Sequence, residues 1–120
     1  MFNVKYDAAK NRIYVKLEGM MGMDEAKEYD NATRQHVDKA KEGYTFCIDM
    51  ADAQPAPAEV NEYLAGLREY MAKKKIVGSA MIVSSALTKL QLSRLIKELG
   101  GDNGVFQSYE EADKYLDSFK

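Results

Sequence analysis

Alternating apolar and polar residues open the chain and predict a β-hairpin. From Phe2 to Tyr6 every second residue is apolar, which is the period of a half-buried strand. A turn-like segment, 7–11, follows, and the same alternation resumes over 12–18. Two such runs joined by a short polar segment are typical of a hairpin.

The remainder of the chain alternates between helical and strand patterns. Apolar residues at spacings of three and four predict amphipathic helices, and short apolar runs predict buried strands. The predicted helices span 23–41, 58–74 and 87–99, with a last one after Ser108, and the predicted strands span 44–50, 76–83 and 105–106.

Local signals mark several boundaries of these elements. The segment 51–57 carries both prolines and is predicted as a loop before the second helix. In the third helix the residues Leu92, Leu95, Ile96 and Leu99 mark one face, and Gly100-Gly101 is expected to end it. Ser108 and Glu111 have the spacing of a capping box. The last helix is expected to bury Tyr109, Ala112, Leu116 and Phe119.

The resulting order is β-β-α-β-α-β-α-β-α. A hairpin followed by alternating units predicts an α/β fold with a mixed, mostly parallel sheet of about five strands and four helices. Crossover connections of this kind are right-handed. With 120 residues, we expect one domain over 1–120.

Charge and composition exclude some classes of protein. The net charge is −2, from 17 basic and 19 acidic residues, and no strongly basic stretch indicates a nucleic-acid binder. Lys73–Lys75 is better explained as complementing the dipole at a helix end. The single cysteine, Cys47, cannot form an internal disulfide. With no signal-peptide core and no apolar run long enough to span a bilayer, a cytoplasmic location is expected.

Four stretches, in this order and spacing, carry a resemblance to a known family. They are IYVKLEG at 13–19, FCIDMAD at 46–52, AMIVSSALTK at 80–89 and VFQSYEEADKYL at 105–116. The chain resembles the STAS domain, the fold of bacterial anti-sigma-factor antagonists, and its SpoIIAA-like branch in particular. In the phospho-regulated antagonists a partner kinase phosphorylates a serine at the start of the second helix.

The resemblance places Asp49 and Asp52 at polar family positions and the phosphoacceptor near Ala58. No serine or threonine lies between Thr45 and the end of the second helix. Because alanine has no oxygen to phosphorylate, the resemblance implies a module without the usual phospho-switch. It also suggests a carrier or sensor of apolar molecules, as proposed for the SpoIIAA-like branch.

Three segments, 19–23, 50–57 and 84–88, are expected to meet where the strands end. Together they bring four methionines, two serines and two aspartates to this edge, counting Asp49 beside them. The methionines suit an adaptable apolar surface for a protein or a lipid, and the alternative is that they cover the end of the core. They are Met20, Met21, Met23 and Met50.

The polar residues of this edge have two interpretations each. Ser84 and Ser85 precede a helix, so they are candidates for binding a phosphate or carboxylate, or one of them is simply the N-cap. Asp49 and Asp52 are candidates for acid–base chemistry or a divalent cation, or they only hydrogen-bond the loop. His36 is expected on a solvated helix face, which makes a dyad with Cys47 improbable, so we predict no catalytic site, no metal and no cofactor.

Three functions remain open at this point. The leading hypothesis is a non-enzymatic binding or regulatory module that engages a protein partner through the strand-end loops and the second helix. Tyr63 and Tyr70 on that helix are candidates for a partner or homodimer contact, or for packing at the edge of the core. The alternative is a carrier or sensor of a small apolar, lipid-like molecule. An enzyme using Asp49 or Ser84 is the least favoured.

Overall fold

A computed structural model describes residues 1–99 and 103–119, with the backbone alone at 95–99. The elements follow the predicted order. They are β1 (Phe2–Asp7), β2 (Arg12–Gly19), α1 (Met23–Lys39), β3 (Thr45–Ala53), α2 (Ala58–Lys73), β4 (Gly78–Ile82), α3 (Ala86–Leu99), β5 (Asn103–Phe106) and α4 (Tyr109–Asp117).

The sheet has five strands in the order β1-β2-β3-β4-β5. β1 and β2 form the predicted antiparallel hairpin, in which Val4 pairs with Val15. The pairs β2–β3, β3–β4 and β4–β5 are parallel. The predicted α/β class, with a mixed and mostly parallel sheet, is therefore confirmed. All carboxyl ends of the parallel strands lie on one edge of the sheet, which is called the carboxyl edge below.

The main core lies between the first face of the sheet and helices α1 and α2. Ile13 and Val15 of β2 and Phe46 of β3 are buried there, because alternation along a strand places them on the same side. Facing them are Ala26, Tyr29 and Val37 of α1, together with Val60, Leu67 and Met71 of α2. The helical spacing of these residues forms the apolar stripe of each helix.

The second face of the sheet is covered by α4, which contacts β3, β4 and β5. Ala112 and Leu116 of α4 are fully buried against Cys47, Ala80 and Ile82. The predicted cap is present, since the Ser108 hydroxyl accepts a hydrogen bond of 3.2 Å from the Glu111 amide. This helix begins where the sequence indicates and buries Ala112 and Leu116 as predicted, whereas Phe119 lies beyond its end and is half-buried.

Several boundaries differ from the predictions. β3 continues to Ala53 instead of giving way to a loop at residue 51, because its last residues still pair with the end of β2. α1 ends at Lys39, where Ala40 turns to an extended conformation, and β4 is shorter than predicted, at Gly78–Ile82. Tyr109, predicted as buried, is 42% exposed. The predicted stop at Gly100-Gly101 and the side chains of Leu95, Ile96 and Leu99 lie outside the described residues.

Candidate functional site at the carboxyl edge

The carboxyl edge brings two of the three expected segments into direct contact. Gly19 pairs with Ala53, and the Gln54 amide donates a hydrogen bond of 2.9 Å to the Gly19 carbonyl. β4 ends earlier, at Ile82, which pairs with Asp49. Ser84 and Ser85 follow two and three residues after this pair, and β3 continues from Asp49 to Ala53, toward the loop that follows Gly19.

The four methionines of this edge have different environments. Met21 is only 6% exposed and belongs to the main core, and Met23 is half-buried against that core. Met50 is also half-buried. Met20, in contrast, is 59% exposed. Met21 thus closes the end of the core, as the alternative interpretation proposed, and Met20 is the methionine that solvent reaches.

A bulge in β3 places Asp49 and Asp52 on the same face of the sheet. Lys16 pairs with Asp49 while Glu18 pairs with Asp52, so β3 uses one residue more than β2 over this stretch. The extra residue reverses the alternation, and Asp52 lies 3.6 Å from the Lys16 ammonium, which is an exposed ion pair. Both aspartates are therefore part of a strand and not of a loop.

Asp49 is buried and engaged by protein groups. It accepts a hydrogen bond of 3.0 Å from the Ala51 amide. Its carboxylate also lies beside the Tyr109 hydroxyl: burial raises the pKa of Tyr109, and the hydrogen bond to Asp49 raises it further. This arrangement explains Asp49 as an anchor for the start of α4. Among the described residues no group of three His, Cys, Asp or Glu side chains could hold a metal ion.

The two serines after β4 have different roles. Ser85 stands before α3, and its hydroxyl accepts a hydrogen bond of 3.1 Å from the Thr88 amide. It also donates to the Thr88 hydroxyl at 2.7 Å. Ser85 therefore acts as the helix cap, and Ser84 is exposed.

A buried ionic network on the second face was missed in the sequence. Arg12 is 0% exposed, and its guanidinium donates to Thr45 at 2.9 Å and to Asp113 and Asp117 at 2.8 Å each. Tyr14 donates to the same Asp113 oxygen at 2.5 Å. Burial lowers the pKa of Arg12, but the hydrogen bonds that it donates to Asp117 and Asp113, together with its interaction with Tyr14, more than offset this effect, so the guanidinium stays charged.

The signal for this network was present in the sequence. Arg12 and Tyr14 occupy the strand positions opposite to Ile13 and Val15, so they must face the other layer. Asp113 and Asp117 are four residues apart on the last helix, which places both carboxylates on one face. To predict that the β2 residues contact the two aspartates, one would have to know that α4 packs on that face close to β2.

The remaining reactive side chains are inert. Cys47 is 0% exposed, and burial, with the nearby Asp113 charge, raises the pKa of its thiol to about 12. His36 is half-buried and its Nδ1 lies 2.8 Å from the Ala32 carbonyl oxygen in the same helix. The two residues lie on separate elements, β3 and α1.

Solved structures share this arrangement over nearly their whole length. An uncharacterized protein of the DUF3478 family from Shewanella loihica PV-4, described as having a SpoIIAA-like fold, matches with a TM-score of 0.75 and 12% identity, covering 96% of this chain and 93% of that chain. The chain has the SpoIIAA-like fold. No family model and no curated protein matches the sequence.

Two further structures with this fold are anti-sigma factor antagonists. SpoIIAA in its unphosphorylated form matches with a TM-score of 0.61 and 12% identity, covering 98% of this chain and 96% of that chain. An anti-sigma factor antagonist from Mycobacterium paratuberculosis matches with a TM-score of 0.62 and 14% identity, covering 98% of this chain and 95% of that chain. In the part of the chain that is described, no helix is long and apolar enough to cross a membrane.

In this SpoIIAA-like fold, α2 begins at the exposed carboxyl edge. Pro57 stands at its N-cap without a side-chain hydrogen bond, and Ala58, the first helical residue, is exposed. The flanking residues Gln54, Pro55, Glu59, Asn61 and Glu62 are exposed as well. The edge therefore presents an open, mildly acidic surface around Ala58.

The two tyrosines of α2 bind α1. The Tyr63 hydroxyl donates to Asp30 at 3.3 Å, although the ring is 38% exposed. Tyr70 bonds Asp38, and the Arg34 guanidinium lies 4.7 Å from its ring centroid. Packing at the edge of the core therefore accounts for Tyr70, and Tyr63 combines this role with an exposed ring.

Proposed function

We propose that this protein is a non-enzymatic regulatory module of the STAS type that binds a protein partner in the cytoplasm through the carboxyl edge of its sheet. The observation that carries the proposal is the exposed surface at the start of α2, where Ala58 is accessible and Met20 is 59% exposed. The SpoIIAA-like fold supports it, because two of the matching structures are anti-sigma factor antagonists.

The chemistry of the edge favours binding over catalysis. Asp49 is buried and bonded to the protein, Ser85 caps α3, and Cys47 is a protonated thiol inside the sheet. None of these groups stands as an activated nucleophile beside a base, which an acyl- or phosphoryl-transfer enzyme needs. An exposed methionine beside polar residues instead suits an adaptable protein contact.

Phosphorylation at the start of α2 is not part of this proposal. Residues 46–73 contain no serine or threonine, and Ala58 occupies the position that the resemblance assigns to the phosphoacceptor. We infer that the partner is bound without this switch. A glutamate introduced at Ala58 is then expected to weaken binding, since it places a longer, charged side chain in the middle of the proposed contact.

The test combines photo-crosslinking with a binding measurement. A photoreactive amino acid at Ala58 or Met20 should trap a defined protein in cells of the source organism, while the same group at the exposed Glu42 should not. The purified partner should then bind the chain, and Ala58→Glu should weaken that binding at least tenfold while Glu42→Gln leaves it unchanged. Equal crosslinking at all three positions, or an unaltered affinity of Ala58→Glu, would reject the carboxyl edge as the interface.

A further inference from the structure

A groove lies on the second face of the sheet, between the β1–β2 hairpin and α4. It has a volume of about 380 Å³ and is lined by Lys5, Tyr6, Asp7, Tyr14, Tyr109 and Asp113. This volume lies within the range of about 300–1,000 Å³ that small-molecule sites occupy. No function considered so far uses it.

The groove exists because one helix cannot cover five strands. Strands lie about 4.8 Å apart, so the sheet is about 19 Å wide, whereas a helix is about 10 Å in diameter. α4 packs on β3, β4 and β5, and it reaches β2 through side chains. The second face of β1 is therefore open, and Lys5, which pairs with Tyr14 across the hairpin, is exposed there.

The hydroxyl groups of the groove are engaged by the protein. Tyr14 donates to Asp113 at 2.5 Å. The Tyr109 hydroxyl lies close to Asp49, whose charge raises the pKa of Tyr109 beyond the effect of burial. Tyr6 pairs with Ile13 and packs against the main core, so its ring lies on the first face. A ligand in the groove therefore meets aromatic faces and finds few donors among these hydroxyls.

The two carboxylates are also occupied. Asp7 accepts hydrogen bonds from the amides of Ala9 and Lys10, at 3.0 and 3.3 Å. Asp113 is bound by Arg12 and Tyr14, and its second oxygen lies 3.9 Å from the Lys10 ammonium. Arg12 and Lys10 therefore compensate the charge of Asp113, whereas Asp7, which accepts both amides through one oxygen, forms no ion pair with a described residue and keeps its charge.

Lys5 is the cationic residue among those that line the groove. Its ammonium makes no hydrogen bond or ion pair with any described residue. The rings of Tyr14 and Tyr109, with centroids 6.4 Å apart and inclined at 44°, form an aromatic wall in the same groove. A flat ring against this wall would bury apolar area, and an anionic group on it would meet the unpaired Lys5 ammonium.

From these contacts we propose that the groove binds a small aromatic carboxylate, with the ring against Tyr14 and Tyr109 and the carboxylate on Lys5. The Asp113 carboxylate does not favour a cationic ligand, because Arg12 and Lys10 already compensate its charge. A purely apolar ligand would leave the Lys5 charge without a counterion. The proposal does not depend on the protein partner, since neither Met20 nor Ala58 lines the groove.

The test uses 2-naphthoate and its uncharged analogue 2-naphthalenemethanol as probes of the full chain, followed by amide NMR spectra and calorimetry. We expect 2-naphthoate to shift the amides of residues 5–7, 14 and 109–113. Lys5→Gln should weaken its binding about tenfold, since a charge-assisted hydrogen bond is lost. The neutral analogue should bind more weakly than 2-naphthoate and should not respond to Lys5→Gln.

Lys16→Gln is the matched control. Lys16 is an exposed lysine on the same face of the neighbouring strand, outside the groove. It should leave the affinity for 2-naphthoate unchanged, and Tyr109→Leu, at a partly exposed ring, should weaken binding of both probes. Equal affinities in Lys5→Gln and Lys16→Gln, shifts that map to the first face, or no shifts at millimolar 2-naphthoate would each overturn the proposal.

Discussion

The Arg12 network allows a test of which charge holds α4 to the sheet. Arg12 is 0% exposed, whereas the side chains of its partners Asp113 and Asp117 are 26% and 50% exposed. When the partner of a solvent-exposed ion is removed, water replaces that partner and the cost in free energy is small. A fully buried cation left without a counterion, in contrast, carries its whole desolvation cost.

The structure therefore orders the variants in an unusual way. Arg12→Met keeps the apolar stem and leaves two carboxylates that water can solvate, so we expect a loss of about 1–2 kcal/mol in the free energy of unfolding. Asp113→Asn with Asp117→Asn leaves the guanidinium buried without a countercharge, and we expect a loss of about 3–5 kcal/mol. Adding Arg12→Met to these two changes should then restore part of the stability.

Urea unfolding followed by circular dichroism measures these values, provided that the slope against urea is unchanged. The matched control is Lys16→Met with Asp52→Asn, because that ion pair is exposed and should contribute no more than about 0.5 kcal/mol. If the triple variant is less stable than the double aspartate variant, the guanidinium is hydrated in solution and the argument from its burial fails.

Two other expectations follow from burial. Met21→Ala should lower the unfolding free energy by about 2 kcal/mol, because Met21 is 6% exposed. Met20→Ala should change it by less than about 0.5 kcal/mol. Equal losses in urea unfolding would contradict the placement of Met21 in the core. Burial raises the pKa of Tyr14 and of Tyr29 to about 12, so the unfolded chain ionises first: their stabilisation should be complete below about pH 10 and decrease as the pH rises toward 12. The decrease should be less steep in Tyr14→Phe by up to about 1.4 kcal/mol per pH unit, and an identical pH profile in that variant would refute the assignment.

The sequence predicted the elements well where apolar residues recur with a single period, that of a strand or that of a helix. The hairpin of β1 and β2 alternates without interruption, and the cap at Ser108 fixes the start of α4, so both were placed correctly. The end of β3 was not, because its last residues are held by parallel pairing with β2 and by a bulge. Both features depend on residues far apart in the sequence, so they produce no repeating pattern of apolar residues.

The candidate site was less predictable for a related reason. Met20, Met21 and Met23 stand in and beside a short loop, where neither period applies, so the sequence could not tell the buried methionine from the exposed one. The same limit applied to Asp49 and Asp52. Their spacing of three suggests opposite faces of a regular strand, and only the bulge places both on the second face.

The second face joins stability and the proposed ligand site in one structure. Asp113 binds Arg12, receives the Tyr14 hydroxyl and lines the groove, while Asp49 bonds Tyr109 at the start of α4. The helix is therefore anchored to the sheet near both of its ends, and these anchors also use up the polar groups that would otherwise attract a cation. Lys5 takes no part in this anchoring, so its replacement should change ligand binding without changing stability. Replacement of Asp113 should change both ligand binding and stability. It would loosen the wall of the groove and leave the buried Arg12 guanidinium with one counterion fewer.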